Sequence, residues 1–375
     1  MRVLLNTRPL ICSNRAGVGS YVFNLVDELR KAGIEVIPTV DDRSAAMVSS
    51  LGRMSRSIRS LLGDAYPSFL SGAGDAVYRF FSRKRPGSSH DLYHETTIER
   101  IPADRGRSVC NVYDLSFVRF PELFVGGFSE TATPNLRENV SRSERVIVNT
   151  RFIRDEVIEI LKVPAEKIDV IPLAAAGRYR KDPGSPHPVT EQGVTGGRAY
   201  LLYAGTVEPR KNLKTLIRAY RELRPRHDIA LVIAGGLGWL YDDVVSYPGQ
   251  LGLGEDVVFT NYVGEETLRS LYRHASVFVY PSLYEGFGIP PLEAMACGTP
   301  VIVSDIPPHR EVSGDAALFF PRDDHEALAG AIERLLSSGP LREEMKQKGL
   351  ARASGYSWRR VAAETIQTYQ KVLSH

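Results

Sequence analysis

Residues 277–305, VFVYPSLYEGFGIPPLEAMACGTPVIVSD, constrain the fold more than any other stretch of the chain. Val277 to Tyr280 is a short apolar run of the kind that forms a buried strand, and Val301-Ile302-Val303 is a second, β-branched run. Between them lie a glycine-bearing turn, Glu285-Gly286-Phe287-Gly288, and an apolar stretch of helical length, Pro290 to Ala296. Strand, tight glycine turn, helix, strand is an α/β layout with a place for an anion. Residues without bulk let a ligand approach the backbone, and the N–H groups at a helix start point at it with the positive end of the dipole. Pro290 and Pro291 suit that position, because first-turn N–H groups have no intrahelical partner.

Two carboxylates bracket the turn, Glu285 before it and Glu293 eight positions later. An ionised carboxylate only accepts hydrogen bonds and so matches sugar or ribose hydroxyls. E-x7-E behind a GFG turn and ahead of A-x-G-x-P-V-I resembles the signature of retaining, nucleotide-sugar-dependent glycosyltransferases of the family 4 type, which have the GT-B fold. The resemblance implies roles for these residues. Glu285 would contact the donor sugar, the amides of Gly286, Phe287 and Gly288 would hold the sugar and its leaving phosphate, and Glu293 would hold the ribose.

A chain of 375 residues accommodates two domains of ordinary size, and 43% hydrophobic with 24% charged residues is a globular composition. No apolar run is long enough to cross a bilayer, and MRVLLNTRPL reads as a first buried strand rather than a signal peptide. Cys12, Cys110 and Cys297 lack metal-ligand spacing and cannot all pair, which suggests a reducing compartment. A net charge of +3 argues for no nucleic-acid partner. The expected location is cytoplasmic, with peripheral contact to the inner membrane face. That contact is assigned to 51–86, where seven basic and two acidic residues are interleaved with aromatics. A pair of ordinary amphipathic helices is the alternative there.

Taken in order, the first half alternates strand and helix. Val3 to Asn6 is followed by Gly17-Val18-Gly19 and a helix with Val22, Leu25, Val26 and Leu29 on one face. Gly33 stops that helix before the strand Val36 to Val40, completing a Rossmann-like unit. The resemblance implies that backbone N–H groups at Gly17 and Gly19 touch the donor diphosphate or the acceptor. Strands at 91–95 and 108–114 carry His94 and Asp114 near their C-terminal ends, where ligand groups collect in open parallel sheets. Family members commonly have His-Asp where this chain has Tyr113-Asp114, so either Tyr113 or His94 replaces that histidine or the sugar contact differs.

The stretch 176–198 gathers Gly and Pro and reads as a linker. The expected architecture is therefore an N-terminal Rossmann-like acceptor domain over 1–175 and a C-terminal nucleotide-sugar domain over 199–356. A final helix, about 357–375, would cross back to the first domain. In the second half, Gly205-Thr206-Val207-Glu208-Pro209-Arg210-Lys211-Asn212 follows a buried strand. Arg210 and Lys211 are placed to neutralise a diphosphate, one as a fork and one as a point charge. Relatives often have a further Arg where this chain has Thr206, and the position by Val263 lies beside the base.

The chemistry the resemblance implies is transfer of a hexose, mannose from GDP-mannose first, to a hydroxyl of a glycan or polyprenyl-diphosphate-linked oligosaccharide. A UDP-sugar donor remains open. No D-x-D triplet occurs, so transfer without a metal or other cofactor is expected. The competing readings are another enzyme of the same fold, such as an epimerase or a phosphorylase, and a non-catalytic nucleotide-sugar-binding partner of a polysaccharide assembly complex.

Overall fold

The computed structural model describes residues 1–10, 17–39, 89–179 and 193–374. Cys12, the basic segment 51–86 and much of the expected linker lie outside the described residues. Short apolar runs become strands that are largely buried, and every pairing between them is parallel. The N-terminal sheet is built from β1 (Arg2–Leu5), β2 (Glu35–Pro38), β3 (Leu92–Glu95), β4 (Ser108–Val112), β5 (Arg145–Val148) and β6 (Ile168–Val170). Its strand order is β2-β1-β3-β4-β5-β6. The second sheet contains β7 (Ala199–Ala204), β8 (Ile229–Ala234), β9 (Val257–Asn261), β10 (Val277–Tyr280), β11 (Val301–Ser304) and β12 (Leu318–Phe320). Its order is β12-β11-β10-β7-β8-β9.

Helices cover both sheets because their apolar residues recur at helical spacing. The helix Val18–Lys31 buries Tyr21, Val22, Leu25, Val26 and Leu29, and Leu213–Leu223 buries Leu213, Leu216, Ile217, Tyr220 and Leu223. Thr150 caps Arg151–Leu161 by accepting from the Ile153 N–H at 3.2 Å. The last helix, Trp358–Leu373, packs on Val18–Lys31 of the first lobe. Its Tyr369 hydroxyl is 2.7 Å from His94 Nδ1, and Lys371 reaches Asp169 at 2.6 Å.

Strand order also fixes where a ligand can enter. In the first sheet the chain runs from β1 to β2 on one side and then places β3 on the other. In the second it runs β7, β8, β9 and then returns to place β10 against the free side of β7. Loops leaving the carboxyl ends of β1 and β3, and of β7 and β10, therefore diverge and open a crevice at each reversal. The two crevice edges face each other, because loops after β4 and β5 touch loops after β10 and β11. Tyr284 presents its hydroxyl to the Leu115 N–H at 3.1 Å and to Glu156. Glu311 accepts from the Arg151 N–H at 2.9 and 3.0 Å.

Candidate active site

At the β7/β10 reversal, Pro209–Lys211 turns the chain immediately before the helix Leu213–Leu223. The loop after β10 is bonded to that turn through Leu283 N–H donating to the Arg210 carbonyl at 2.9 Å. This contact sets Glu285 beside both cations. Arg210 Nη1 donates to Glu285 Oε2 at 3.0 Å, and Lys211 Nζ donates to Glu285 Oε1 at 2.6 Å. Lys211 also donates to the Tyr280 hydroxyl at 2.9 Å. Arg210 Nε and Nη2 both donate to Glu208 Oε1, at 3.1 and 2.7 Å, and Nη1 donates to the Tyr284 carbonyl at 2.9 Å.

All four charges are largely sequestered from water. Burial by itself pushes the Glu285 carboxyl up, but Arg210 and Lys211 more than offset it and hold the group far below the usual carboxylate range. Glu285 is ionised at any ordinary pH. For Lys211 the balance differs: burial first, then the Arg210 charge, lowers its pKa despite Glu285. A guanidinium has five N–H bonds and an ammonium three. The contacts above leave each cation one N–H for an incoming ligand, so the pair can accept an anion without first losing Glu285.

Glu293 has the same side chain in a different setting. It lies on the helix Ile289–Cys297, accepts from the Tyr272 hydroxyl at 3.0 Å, and has no cation at contact distance among the described residues. Burial pushes its carboxyl up to about 8, only partly countered by Tyr272 and the Arg178 charge. Asp114 sits half-buried where the first lobe meets the turn, its Oδ1 accepting from the Ser116 N–H at 2.9 Å and from the Ser116 hydroxyl. Its field adds to that of Glu285 at Arg210.

The glycine turn departs from the expectation of an open anion corner. Gly286 is buried, and a Cβ there would lie 1.8 Å from the Tyr113 carbonyl oxygen and 3.1 Å from Asp114 Cβ. The Gly286 carbonyl accepts from the Thr150 hydroxyl at 2.9 Å. Glycine is required at 286 in this structure because the backbone of the opposite lobe occupies the space of a side chain. Phe287 is buried too, its ring edge-on to Tyr356. Gly288 takes φ +95, a conformation that other residues rarely adopt, and abuts His309.

His94 also departs from expectation. It is fully buried at the end of β3, with Nδ1 facing Tyr369 and Nε2 facing Asn111, and burial lowers its pKa to about 4. Both ring nitrogens are committed, Nδ1 to Tyr369 of the last helix and Nε2 to Asn111 of β4, so nothing of His94 is offered to the crevice. Tyr113 is committed as well, its hydroxyl donating to the Thr96 carbonyl at 3.1 Å. Gly17 is exposed at φ +55 ahead of the helix Val18–Lys31, and Gly19 is buried in that helix's first turn. Thr206 and Val263 are half-buried after β7 and β9, the Thr206 carbonyl accepting from Tyr203 at 3.0 Å. Sequence reasoning overlooked Glu208, Tyr280, Tyr284 and His309; Glu208 was visible two positions before Arg210, the others only through the fold. Among the described residues, Glu222, His325 and Glu326 form a group with metal-ligand spacing, on helices outside the β7/β10 crevice.

Two six-stranded parallel α/β lobes meeting at their carboxyl edges, with a last helix returning to the first lobe, define the GT-B fold. The sequence model of the family described as glycosyl transferases group 1 matches residues 190–352, and the chain belongs to that family. It is 31% identical to O-antigen chain mannosyltransferase B of Escherichia coli, over 99% of this chain and 100% of that protein. A D-inositol 3-phosphate glycosyltransferase of Nocardia farcinica is 27% identical, over 98% and 88% of the two chains. Among solved structures, a sucrose-phosphate synthase of Thermosynechococcus elongatus superposes with a TM-score of 0.69 at 19% identity, covering 100% of this chain and 99% of that one. WaaG, a glycosyltransferase involved in lipopolysaccharide biosynthesis, does so with a TM-score of 0.69 at 14% identity, covering 97% and 98%. These two likenesses concern the fold alone. No described helix is long and apolar enough to cross a membrane.

Proposed function

We propose that the chain transfers mannose from GDP-mannose, with retention of anomeric configuration and without a metal. The acceptor is a hydroxyl of a glycan or a polyprenyl-diphosphate-linked oligosaccharide in bacterial surface-polysaccharide assembly. The work is done at the cytoplasmic face of the membrane. The observation that carries the reading is the Arg210–Lys211–Glu285 cluster at the β7/β10 reversal. Breaking a glycosyl–phosphate bond requires stabilising the charge that gathers on the departing phosphate, and fixed donors in a dry site do this best. Each cation keeps an N–H for that purpose. Glu285 has one oxygen on each cation, an arrangement that suits orienting the sugar and facing positive charge at its ring better than attacking it. The departing phosphate then takes the acceptor proton on the same face. The choice of mannose rests on the likeness to the Escherichia coli mannosyltransferase.

Thermal-shift titration with GDP, UDP and ADP, followed by turnover of GDP-mannose and UDP-glucose with and without EDTA, tests the reading. GDP is expected to raise the melting temperature by mass action, and EDTA to leave the rate unchanged. Removing one fixed donor in Arg210→Ala is expected to lower kcat by about 10²–10³. A shift with UDP and none with GDP removes the mannose assignment. Wild-type protein that binds nucleotide but turns over no sugar donor is a binding module, not a transferase.

A further inference from the structure

The ring of His309 lies next to the cluster, on the helix Pro307–Ser313 that follows β11. Tyr280 is between them: its ring centroid is 5.6 Å from that of His309 and 5.2 Å from Lys211 Nζ. His309 is 1% exposed. Its Nδ1 is 2.9 Å from the Ser304 carbonyl oxygen, which can only accept, so Nδ1 carries the proton and Nε2 is left as an acceptor. That Nε2 has no partner, although the atom is buried. The edge of the ring bearing it faces Gly288: a Cβ there would lie 3.3 Å from Cδ2 and 3.5 Å from Nε2. Gly288, which faces that edge, has no side chain to cover the nitrogen.

A buried acceptor without a donor is costly to the protein, and such groups ask for an explanation. The ligand class follows from chemistry. An ionised phosphate has no proton to give, whereas a sugar hydroxyl does. The family resemblance gives the ribose hydroxyls to Glu293, whose own neighbour is Tyr272 rather than the cation cluster. What remains is the sugar being transferred. Resting on the glycosyltransferase reading above, we propose that His309 Nε2 accepts a hydrogen bond from a hydroxyl of the transferred sugar, across Gly288, and thereby selects among hexoses. His309 is then a specificity-determining contact rather than a residue of the bond-breaking step.

The test measures kcat/KM on GDP-mannose or UDP-glucose, whichever the wild type turns over, and on the 2-, 3-, 4- and 6-deoxy forms of that donor. His309→Phe keeps an aromatic ring but removes the Nε2 acceptor together with the Nδ1–H bond to Ser304; His309→Gln restores an acceptor. Binding of the free nucleoside diphosphate is followed in parallel. The expected result is one deoxy position that costs the wild type about tenfold or more and costs His309→Phe nothing, with nucleoside diphosphate affinity unchanged. His309→Gln is expected to recover part of the discrimination. Identical deoxy profiles in wild type and His309→Phe overturn the proposal while leaving the transferase reading intact. A wild type inert towards both parent donors overturns that reading, and this proposal with it.

Discussion

At the scale of single residues, two glutamates eight positions apart are both buried yet hold opposite charge states. Glu285 has Arg210 and Lys211 against its oxygens and stays ionised, whereas Glu293 has a tyrosine and is neutral through much of the physiological range. Spacing and residue type cannot reveal this, because the cations come from a different loop. The consequence for stability has a definite sign. A folded-state pKa raised to about 8 means the native state binds more protons than the unfolded chain between an ordinary Glu value near 4.5 and 8. The contribution is therefore fully present below that ordinary value and is lost as pH rises through the folded one. At about 1.4 kcal/mol per pKa unit, the loss is a few kcal/mol. Urea denaturation at pH 5, 7 and 9 is expected to show wild type weakening relative to Glu293→Gln as pH rises. Curves that stay parallel would mean that Glu293 ionises freely in the folded protein. A ribose whose hydroxyls need an ionised acceptor favours loss of the Glu293 proton, so nucleotide affinity should strengthen over the same interval in wild type and not in the variant.

At the scale of elements, what the sequence makes legible is what depends on neighbours along the chain. Runs such as Ala199–Ala204 and Val277–Tyr280, and the apolar face of Val18–Lys31, become the strands and helix that their periodicity indicates. β12, only Leu318–Phe320, is too short to carry a pattern and is recognised only by its pairing with β11. Roles that depend on the far lobe are not legible. His94 at a strand end looks available until Tyr369, 275 positions later, occupies it. Gly286 is the instructive case, since the structure gives its residue type a reason that the sequence does not show. Its absent side chain makes room for the Tyr113 carbonyl. Gly286→Ala places a Cβ against the Tyr113 carbonyl, and backbone cannot turn aside as a side chain can. Neither lobe's core is touched. The variant is expected to fold with an enlarged radius of gyration in small-angle scattering. Its kcat/KM should be lower by about 10²-fold, the scale of an ångström-sized misplacement. Wild-type scattering together with wild-type activity would mean that this contact does not form in solution.

For the whole molecule, the question is what holds the lobes together while the donor is in place. The last helix ties them through bonds that do not face the crevice, such as Lys371 and Thr368 on Asp169. The loops supply a different kind of contact. Trp239, in the loop after β8, donates its indole N–H to the Leu123 carbonyl at 2.6 Å and stacks on Phe124 with ring centroids 5.4 Å apart. Phe124 in turn stacks on Phe128 and meets Phe117 edge-on, so one indole from the second lobe closes an aromatic cluster of the first. Such an anchor concentrates binding energy in a contact that opening the lobes must break. A closed crevice keeps water from the donor, which matters because water competes with the acceptor for the same sugar. Trp239→Ala removes the anchor without disturbing either sheet or the Arg210–Lys211–Glu285 cluster. Its mark should be a change in partition more than in rate: donor hydrolysis rising several-fold relative to transfer, and a higher donor KM, with the nucleoside diphosphate still bound. Measuring released sugar against glycosylated acceptor in one reaction separates the two fates. If the ratio stays at its wild-type value, closure rests on Tyr284 and Glu311, which cross the same boundary with hydrogen bonds to Leu115, Glu156 and Arg151.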